Sequence, residues 1–304
     1  MVPLPKMKFF VVGAQKCATS WIYYCMDEHY EICLPQKKLE KVYLGNGNFT
    51  EECESLFPEY LAASNDKIKG DISVNYLVDQ CSPDAIRRRV DGPKIFASLR
   101  DPVERAVSSY FWNLRRGHVR ENDLNAGLLR AAKEWTSMQP KTTYDPEEYY
   151  FNIIARGMYA EQLERYLDQL GPGSLYLLYY EDIRERPLDV LQRLYQALGV
   201  DPSFCPPSLT RRPKQNSYLW PLLRLEQATP NTTFWGKATD IAHQVACSIG
   251  LGQEKPSLTD EVEDQLRSLY KPSDDRLKDL VRCLPRSNVL TPENPLPPWT
   301  TGSS

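Results

Sequence analysis

The chain has 304 residues, 41% of them hydrophobic and 25% charged, enough for one large α/β domain with an ordinary globular composition. Its net charge of −3 excludes the bulk basic field that draws a protein to nucleic acid, so a polyanionic ligand must be met by local basic clusters. No apolar run approaches the ~20 residues needed to span a membrane. The apolar run near the N-terminus is too short for a signal-peptide core, so a cytoplasmic protein is expected. Eight cysteines show no CxxC pair and read as reduced thiols. Three histidines, His29, His118 and His243, have no metal-ligand spacing, so no metal is expected.

The first element is a strand over Lys8–Val12, an apolar run of aromatic and β-branched residues. Gly13-Ala14-Gln15-Lys16-Cys17-Ala18 follows as a loop of mostly small residues. Trp21, Ile22, Cys25 and Met26 then recur at helical spacing, with Thr19 and Ser20 at the expected N-cap. Strand, small-residue loop and helix N-terminus together aim backbone N–H groups at an anion, and Lys16 adds a point charge. Read alone, the same stretch is also an ordinary βα turn with a surface lysine. It is not the G-x-x-x-x-G-K-[ST] loop, because Lys16 stands three residues before the hydroxyls and the second Gly is missing.

GAQKCATSW instead resembles the 5′-phosphosulfate loop of sulfotransferases, which use 3′-phosphoadenylyl sulfate (PAPS). The resemblance assigns PAPS contacts to Gln15, Lys16, Cys17, Ala18, Thr19, Ser20 and Trp21. After a second strand at 31–34, Leu39-Glu40-Lys41-Val42-Tyr43-Leu44 is similar to the K-E-x-x-[FY]-[FL] segment of heparan-type and related bacterial members. There the Glu is the catalytic base. Leu39 replaces the family's Lys, so the register is open by one residue, and a solvated charged loop is the competing reading. A strand at 67–73 runs into GDISVNYL. This is similar to the family's G-E-x-S-P-x-Y-L stretch on the acceptor side of the cleft, with Asp71, Ser73 and Tyr76 in the matching places. Ser82-Pro83-Asp84 opens a helix, with Ser82 as N-cap.

The strand 94–99 is followed directly by Arg100, and Asp101-Pro102-Val103-Glu104 is a strong helix start. LRDPVERAVSSYFW matches the sulfotransferase 3′-phosphate segment, strand-R-[DN]-P-x-x-R-x-x-S-x-[YF]. The resemblance gives the 3′-phosphate to Arg100 and Ser108; a guanidinium fork and a hydroxyl suit that group. Arg105 reads as a structural ion pair. The stretch 117–151, ending in the aromatic YDPEEYYF, reads as an acceptor wall or lid, or as a bland surface insertion. RGMYAEQLERYL resembles the family again and makes Tyr159 a PAPS contact, ahead of a helix closed by Gly171. A strand at 174–180 precedes Glu181-Asp182 and a helix from Pro187 to Leu198. Arg212 and Lys214, in a basic, Pro-rich loop, are placed over the 3′ side of the nucleotide. Ser257–Lys271 and Ser273–Leu284 read as two amphipathic helices, and the Pro-rich tail from 285 wraps the surface or frays.

The fold expected is a single α/β domain over 1–304, P-loop-like and three-layered, with a central parallel sheet flanked by helices and ligand at the strands' carboxyl ends. Its core runs over 7–200, with the irregular loop, two helices and tail over 201–304. The resemblance implies sulfuryl transfer from PAPS to a hydroxyl or amine of a small-molecule acceptor, as in natural-product tailoring. Lys16 would stabilise leaving-group charge, and Glu40 or His118 would take the proton. A P-loop-type kinase and a non-catalytic nucleotide binder on the same fold are the rival readings. No nucleic-acid or membrane partner is expected, and the sequence leaves the oligomeric state open.

Overall fold

The computed structural model describes residues 7–35, 66–138, 147–210, 256–291 and 294–301. They fall into two compact units: Met1–Pro102, Met158–Arg211 and Tyr270–Ser304 form the first, Val103–Gly157 and Arg212–Leu269 the second.

The first unit is built on five strands: β1 (Met7–Gly13), β2 (Ile32–Cys33), β3 (Ile68–Ile72), β4 (Lys94–Leu99) and β5 (Leu175–Tyr179). Every pairing is parallel and the order is β2-β3-β1-β4-β5. A parallel sheet is covered on both faces, which is why β1, β4 and β5 read as near-continuous apolar runs; β3, IKGDI, is the exception and buries Lys69 and Asp71. Alternation still decides which layer each side chain joins. Phe10, Val12, Ile95, Ala97 and Leu177 pack on one face with Ile86 of α2 (Ser82–Arg89), Leu163 and Tyr166 of α6 (Tyr159–Leu170), and Leu277 and Val281 of α9 (Asp260–Cys283). Phe9, Val11, Phe96 and Leu178 pack on the other with Ile22 and Met26 of α1 (Thr19–Asp27), Ile183 of α7 (Tyr180–Glu185), and Val190, Leu191 and Leu194 of α8 (Pro187–Leu198). These are the three layers the sequence predicts.

The second unit holds α3 (Pro102–Arg115) from Val103 onward, α4 (Leu124–Ser137) and α5 (Tyr149–Ala155). Asp123 caps α4 by accepting from the Ala126 N–H at 2.7 Å. α4 approaches α3 so closely that a Cβ on Gly127 would stand 2.4 Å from Tyr110 ring carbons, a place only glycine fits.

Several local expectations differ from the structure. The N-cap of α1 is Ala18, in the left-handed region at φ 61, and it offers no side-chain cap. Thr19 and Ser20 are the first helical residues instead. Ser82 is likewise inside its helix, after Cys81, and its hydroxyl donates to Asp79 at 2.6 Å. The two helices expected around Pro272 are one helix, Asp260–Cys283. A proline removes one i→i−4 bond and strains the turn before it. Here ion pairs four residues apart, Arg267–Glu263 and Lys271–Asp275, run along the surrounding turns. The tail wraps: Leu290 N–H donates to the Leu177 carbonyl of edge strand β5, and Trp299 Nε1 to Asp274. No helix among the described residues is long and apolar enough to cross a membrane. The six described cysteines are free thiols.

Candidate active site

The carboxyl ends of β1 and β4 lie side by side, with Gly13 opposite Ala97. This edge is where ligands sit in open parallel sheets. The loop leaving β1 is lashed to β4 by a single serine. Ala14 N–H donates to the Ser98 carbonyl at 2.7 Å, and the Ser98 hydroxyl donates to the Cys17 carbonyl at 2.6 Å. A side chain at Gly13 would be crowded, with its Cβ 3.0 Å from Leu77 Cβ, and would meet a φ of 156° that side chains rarely adopt. Lys16 and Ala18 both have positive φ, 70° and 61°. Alternating left-handed residues curl a backbone so that its N–H groups converge, and the N-terminus of α1 adds its dipole to the same concavity. The Ala18 N–H donates to no group among the described residues, and its carbonyl accepts from Trp21 and Ile22. The loop therefore has the form of an anion cradle, which fits the phosphate end of a nucleotide donor.

Gln15, Lys16 and Ser20 are half-buried, whereas Cys17 and Thr19 are buried. Trp21 is packed in the core, and its indole N–H donates to the Leu209 carbonyl at 3.1 Å. Arg100 sits just past β4 with its guanidinium 4.4 Å above the centre of the Tyr180 ring. Tyr159, fully buried, links it to the loop. Its hydroxyl donates to the Arg100 carbonyl at 2.9 Å and lies 3.7 Å from Cys17 Sγ. The next amide, Asp101 N–H, donates to Glu181 Oε1 at 3.1 Å. Burial raises the Glu181 carboxyl above the usual range, against the pull of that bond and of Arg100. The structure thus brings Lys16, Cys17, Tyr159 and Arg100 together at one sheet edge.

Ser108 belongs to the second unit, buried in the second turn of α3. Arg105 lies one turn earlier and is fully buried. The ion pair expected for it does not form: it donates to the Ile153 carbonyl, and its Nε and Nη1 have no partner. No carboxylate among the described residues reaches it, so a carbonyl dipole takes the place of a counter-charge. His118 stacks on Tyr149 with ring centroids 4.1 Å apart, and Trp112 stands 6.0 Å away. Burial, helped by Arg116, lowers its imidazole below the ordinary value, which keeps it neutral near pH 7 and able to accept a proton. His29 is occupied in the core, with Nδ1 accepting from Glu31 N–H and Nε2 against the Asp201 carbonyl at 3.0 Å.

Glu40, Arg212 and Lys214 lie outside the described residues. Asp71, Ser73 and Tyr76 are all buried, and the Tyr76 hydroxyl donates to Asp71, so their side chains brace the sheet from within. The sequence assigned no site role to Ser98, Tyr180 or Glu181. Ser98 was the lone polar side chain within the apolar part of its strand, two places before Arg100. Tyr180 and Glu181 follow β5, the strand paired with β4, and that neighbourhood is the signal that finds them.

A profile of the sulfotransferase domain matches residues 6–271. The membrane-associated sulfotransferase kil1 of Dictyostelium discoideum is 21% identical over 265 residues, 64% of this chain and 56% of its own length. The bifunctional heparan sulfate N-deacetylase/N-sulfotransferase 4 of Mus musculus is 24% identical over 300 residues, 96% of this chain and 31% of its own length. The chain therefore spans little more than half of the first relative and under a third of the second. The crystal structure of a sulfotransferase from Alicyclobacillus acidocaldarius superposes with a TM-score of 0.62 at 21% identity, covering 91% of this chain and 96% of that one. That likeness shows the shared fold.

Proposed function

The chain belongs to the sulfotransferase-domain family, and we propose that it moves a sulfuryl group from PAPS to a hydroxyl or amine of a small-molecule acceptor, releasing adenosine 3′,5′-bisphosphate. The observation that carries the donor reading is the joining of the Lys16 cradle to Arg100 through Tyr159. Two anion-binding segments held together suit a ligand with phosphate at both ends. The amine stays beside the hydroxyl because the mouse heparan relative is named an N-sulfotransferase. The family match crosses both compact units, which supports reading them as one catalytic domain.

In this reading the bond between sulfur and the donor's 5′-phosphate oxygen breaks as a bond from the acceptor to sulfur forms. Lys16 and the amides at the α1 N-terminus stabilise the charge that grows on the leaving oxygen. Arg100 and Ser108 hold the 3′-phosphate, with Arg212 and Lys214 assigned to the same side. Glu40 is proposed to take the acceptor proton, with His118 as its competitor.

The test is thermal unfolding with adenosine 3′,5′-bisphosphate against adenosine 5′-phosphate. The bisphosphate is expected to stabilise the protein far more, by about 2.7 kcal/mol at a hundredfold excess over its dissociation constant. Equal shifts overturn the 3′-phosphate assignment. Turnover of labelled PAPS with a metabolite extract then separates an enzyme from a silent binder.

A further inference from the structure

The peptide unit that follows Arg100 is gripped at both of its polar ends. Its carbonyl accepts from the Tyr159 hydroxyl at 2.9 Å, and its N–H, on Asp101, donates to Glu181 Oε1 at 3.1 Å. A peptide plane fixed at both ends fixes the backbone angles beside it and hence the direction in which the Arg100 side chain leaves the chain. The residue beside Glu181 completes the hold, since the Arg100 guanidinium lies over the Tyr180 ring at 4.4 Å. The two gripping groups come from different elements, Tyr159 at the start of α6 and Glu181 in α7 just after β5. Tyr159 is fully buried and the second oxygen of Glu181 is buried with no partner, so neither group is a decoration of the surface. The same Tyr159 hydroxyl touches Cys17 in the Lys16 loop.

We infer that Tyr159 and Glu181 are positioning residues for the donor's 3′-phosphate, acting through the Arg100–Asp101 peptide. The inference rests on the donor reading above. It changes what Tyr159 does, because its hydroxyl is spent on the Arg100 carbonyl and on Cys17. It also gives Glu181 a task that does not depend on its charge, since any side-chain carbonyl oxygen in the same place can accept from Asp101.

The experiment measures 3′-phosphate discrimination, the ratio of the dissociation constants of adenosine 5′-phosphate and adenosine 3′,5′-bisphosphate, by calorimetry. Wild type, Tyr159→Phe, Glu181→Ala, Glu181→Gln and Arg100→Ala are compared, each first checked for a cooperative thermal transition. A general loosening of the fold weakens both ligands and leaves the ratio alone. Loss of aim at Arg100 lowers the ratio. Tyr159→Phe and Glu181→Ala are each expected to lower it about fivefold, the worth of one ordinary hydrogen bond. Glu181→Gln keeps the acceptor oxygen and is expected to keep the ratio. In the Arg100→Ala background, Tyr159→Phe is expected to add no further loss. An unchanged ratio in folded Tyr159→Phe and Glu181→Ala overturns the inference while leaving the donor reading intact. A further loss in the Arg100→Ala background overturns it too. If Tyr159→Phe does not fold, the Glu181→Ala and Glu181→Gln pair decides. A wild type with no discrimination overturns the donor reading, and the inference falls with it.

Discussion

Replacing Asp71 by Asn changes stability by an amount that depends on pH in a calculable way. Asp71 lies in β3 with 3% of its surface exposed. It accepts from the Tyr76 hydroxyl at 2.6 Å and from Ile72 N–H at 2.8 Å. Burial outweighs both bonds and lifts its carboxyl to about 6 from an ordinary value of 3.8. A carboxyl raised in the folded state binds its proton there more tightly than in the unfolded chain. Its stabilising contribution is therefore full below the unfolded pKa and is lost as pH rises through the folded one. Roughly two pKa units at ~1.4 kcal/mol each give ~3 kcal/mol in all, of which ~2 kcal/mol falls between about pH 4.5 and pH 7.5. Asn carries no such proton. In the variant one oxygen still accepts from Ile72 N–H, and the bond to Tyr76 reverses, the amide donating to the hydroxyl oxygen; the variant also escapes the cost of a buried charge at high pH. Urea unfolding at both pH values is the assay. Wild type minus variant is expected to fall by ~2 kcal/mol from about pH 4.5 to pH 7.5. A difference that does not move with pH refutes the reasoning and means that water or a cation reaches the carboxylate.

Lys16→Ala is expected to cut kcat far more than it weakens bisphosphate binding, by about 2.7–4 kcal/mol of barrier if it acts as one transition-state donor. Arg100→Ala is expected to do the reverse, and steady-state kinetics beside calorimetry separate the two. Ser98→Ala removes the hydroxyl that donates to the Cys17 carbonyl, so stability is expected to fall by about 1 kcal/mol in denaturant unfolding, with loss of donor affinity. Glu40→Gln, His118→Gln and His29→Gln are compared at saturating PAPS. Glu40→Gln is expected to collapse turnover with bisphosphate binding intact, whereas His29→Gln is expected to lower Tm, because both His29 ring nitrogens are bonded within the core. If His118 is the base instead, activity falls as pH drops through its depressed pKa, since only the neutral imidazole accepts.

The strands were legible chiefly because a parallel sheet buried on both faces needs apolar runs, as at 8–12, 94–99 and 174–180; with 31–34 and the more polar 67–73, the five stretches expected are the five strands of the sheet among the described residues. Helix ends were less legible. Thr19 and Ser20 have the chemistry of caps, but the chain enters α1 through a left-handed Ala18, so the cap is set by the geometry of the loop. Pro272 reads as a break because proline costs a helix a bond. That local penalty is offset by the burial of Tyr270 and Leu277 on the same helix. Arg105 misled for a related reason: a charge in a motif implies a partner charge, and nothing in a linear sequence says that the group opposite is a carbonyl from residue 153.

The site was legible where one segment carries a whole function and illegible where function arises between segments. The cradle of 13–18 and the Arg100 turn each have a local signature, because a phosphate is bound by consecutive amides or by a residue at a strand end. The contacts that aim them are not local. Ser98, Tyr159 and Glu181 come from β4, α6 and α7; Ser98 holds the loop after β1, the other two hold the peptide after Arg100, and they meet those partners only because β1, β4 and β5 are neighbours in the sheet. A hydroxyl in a strand and a Glu after one are unremarkable until the order β1-β4-β5 sets the first against the loop after β1 and the second against the peptide after Arg100. Proton transfer is harder still to read, since a base is defined by its distance to an acceptor atom and not by its neighbours in sequence. Glu40 therefore rests on the likeness of its segment to the family's and His118 on its chemistry, and kinetics must choose between them.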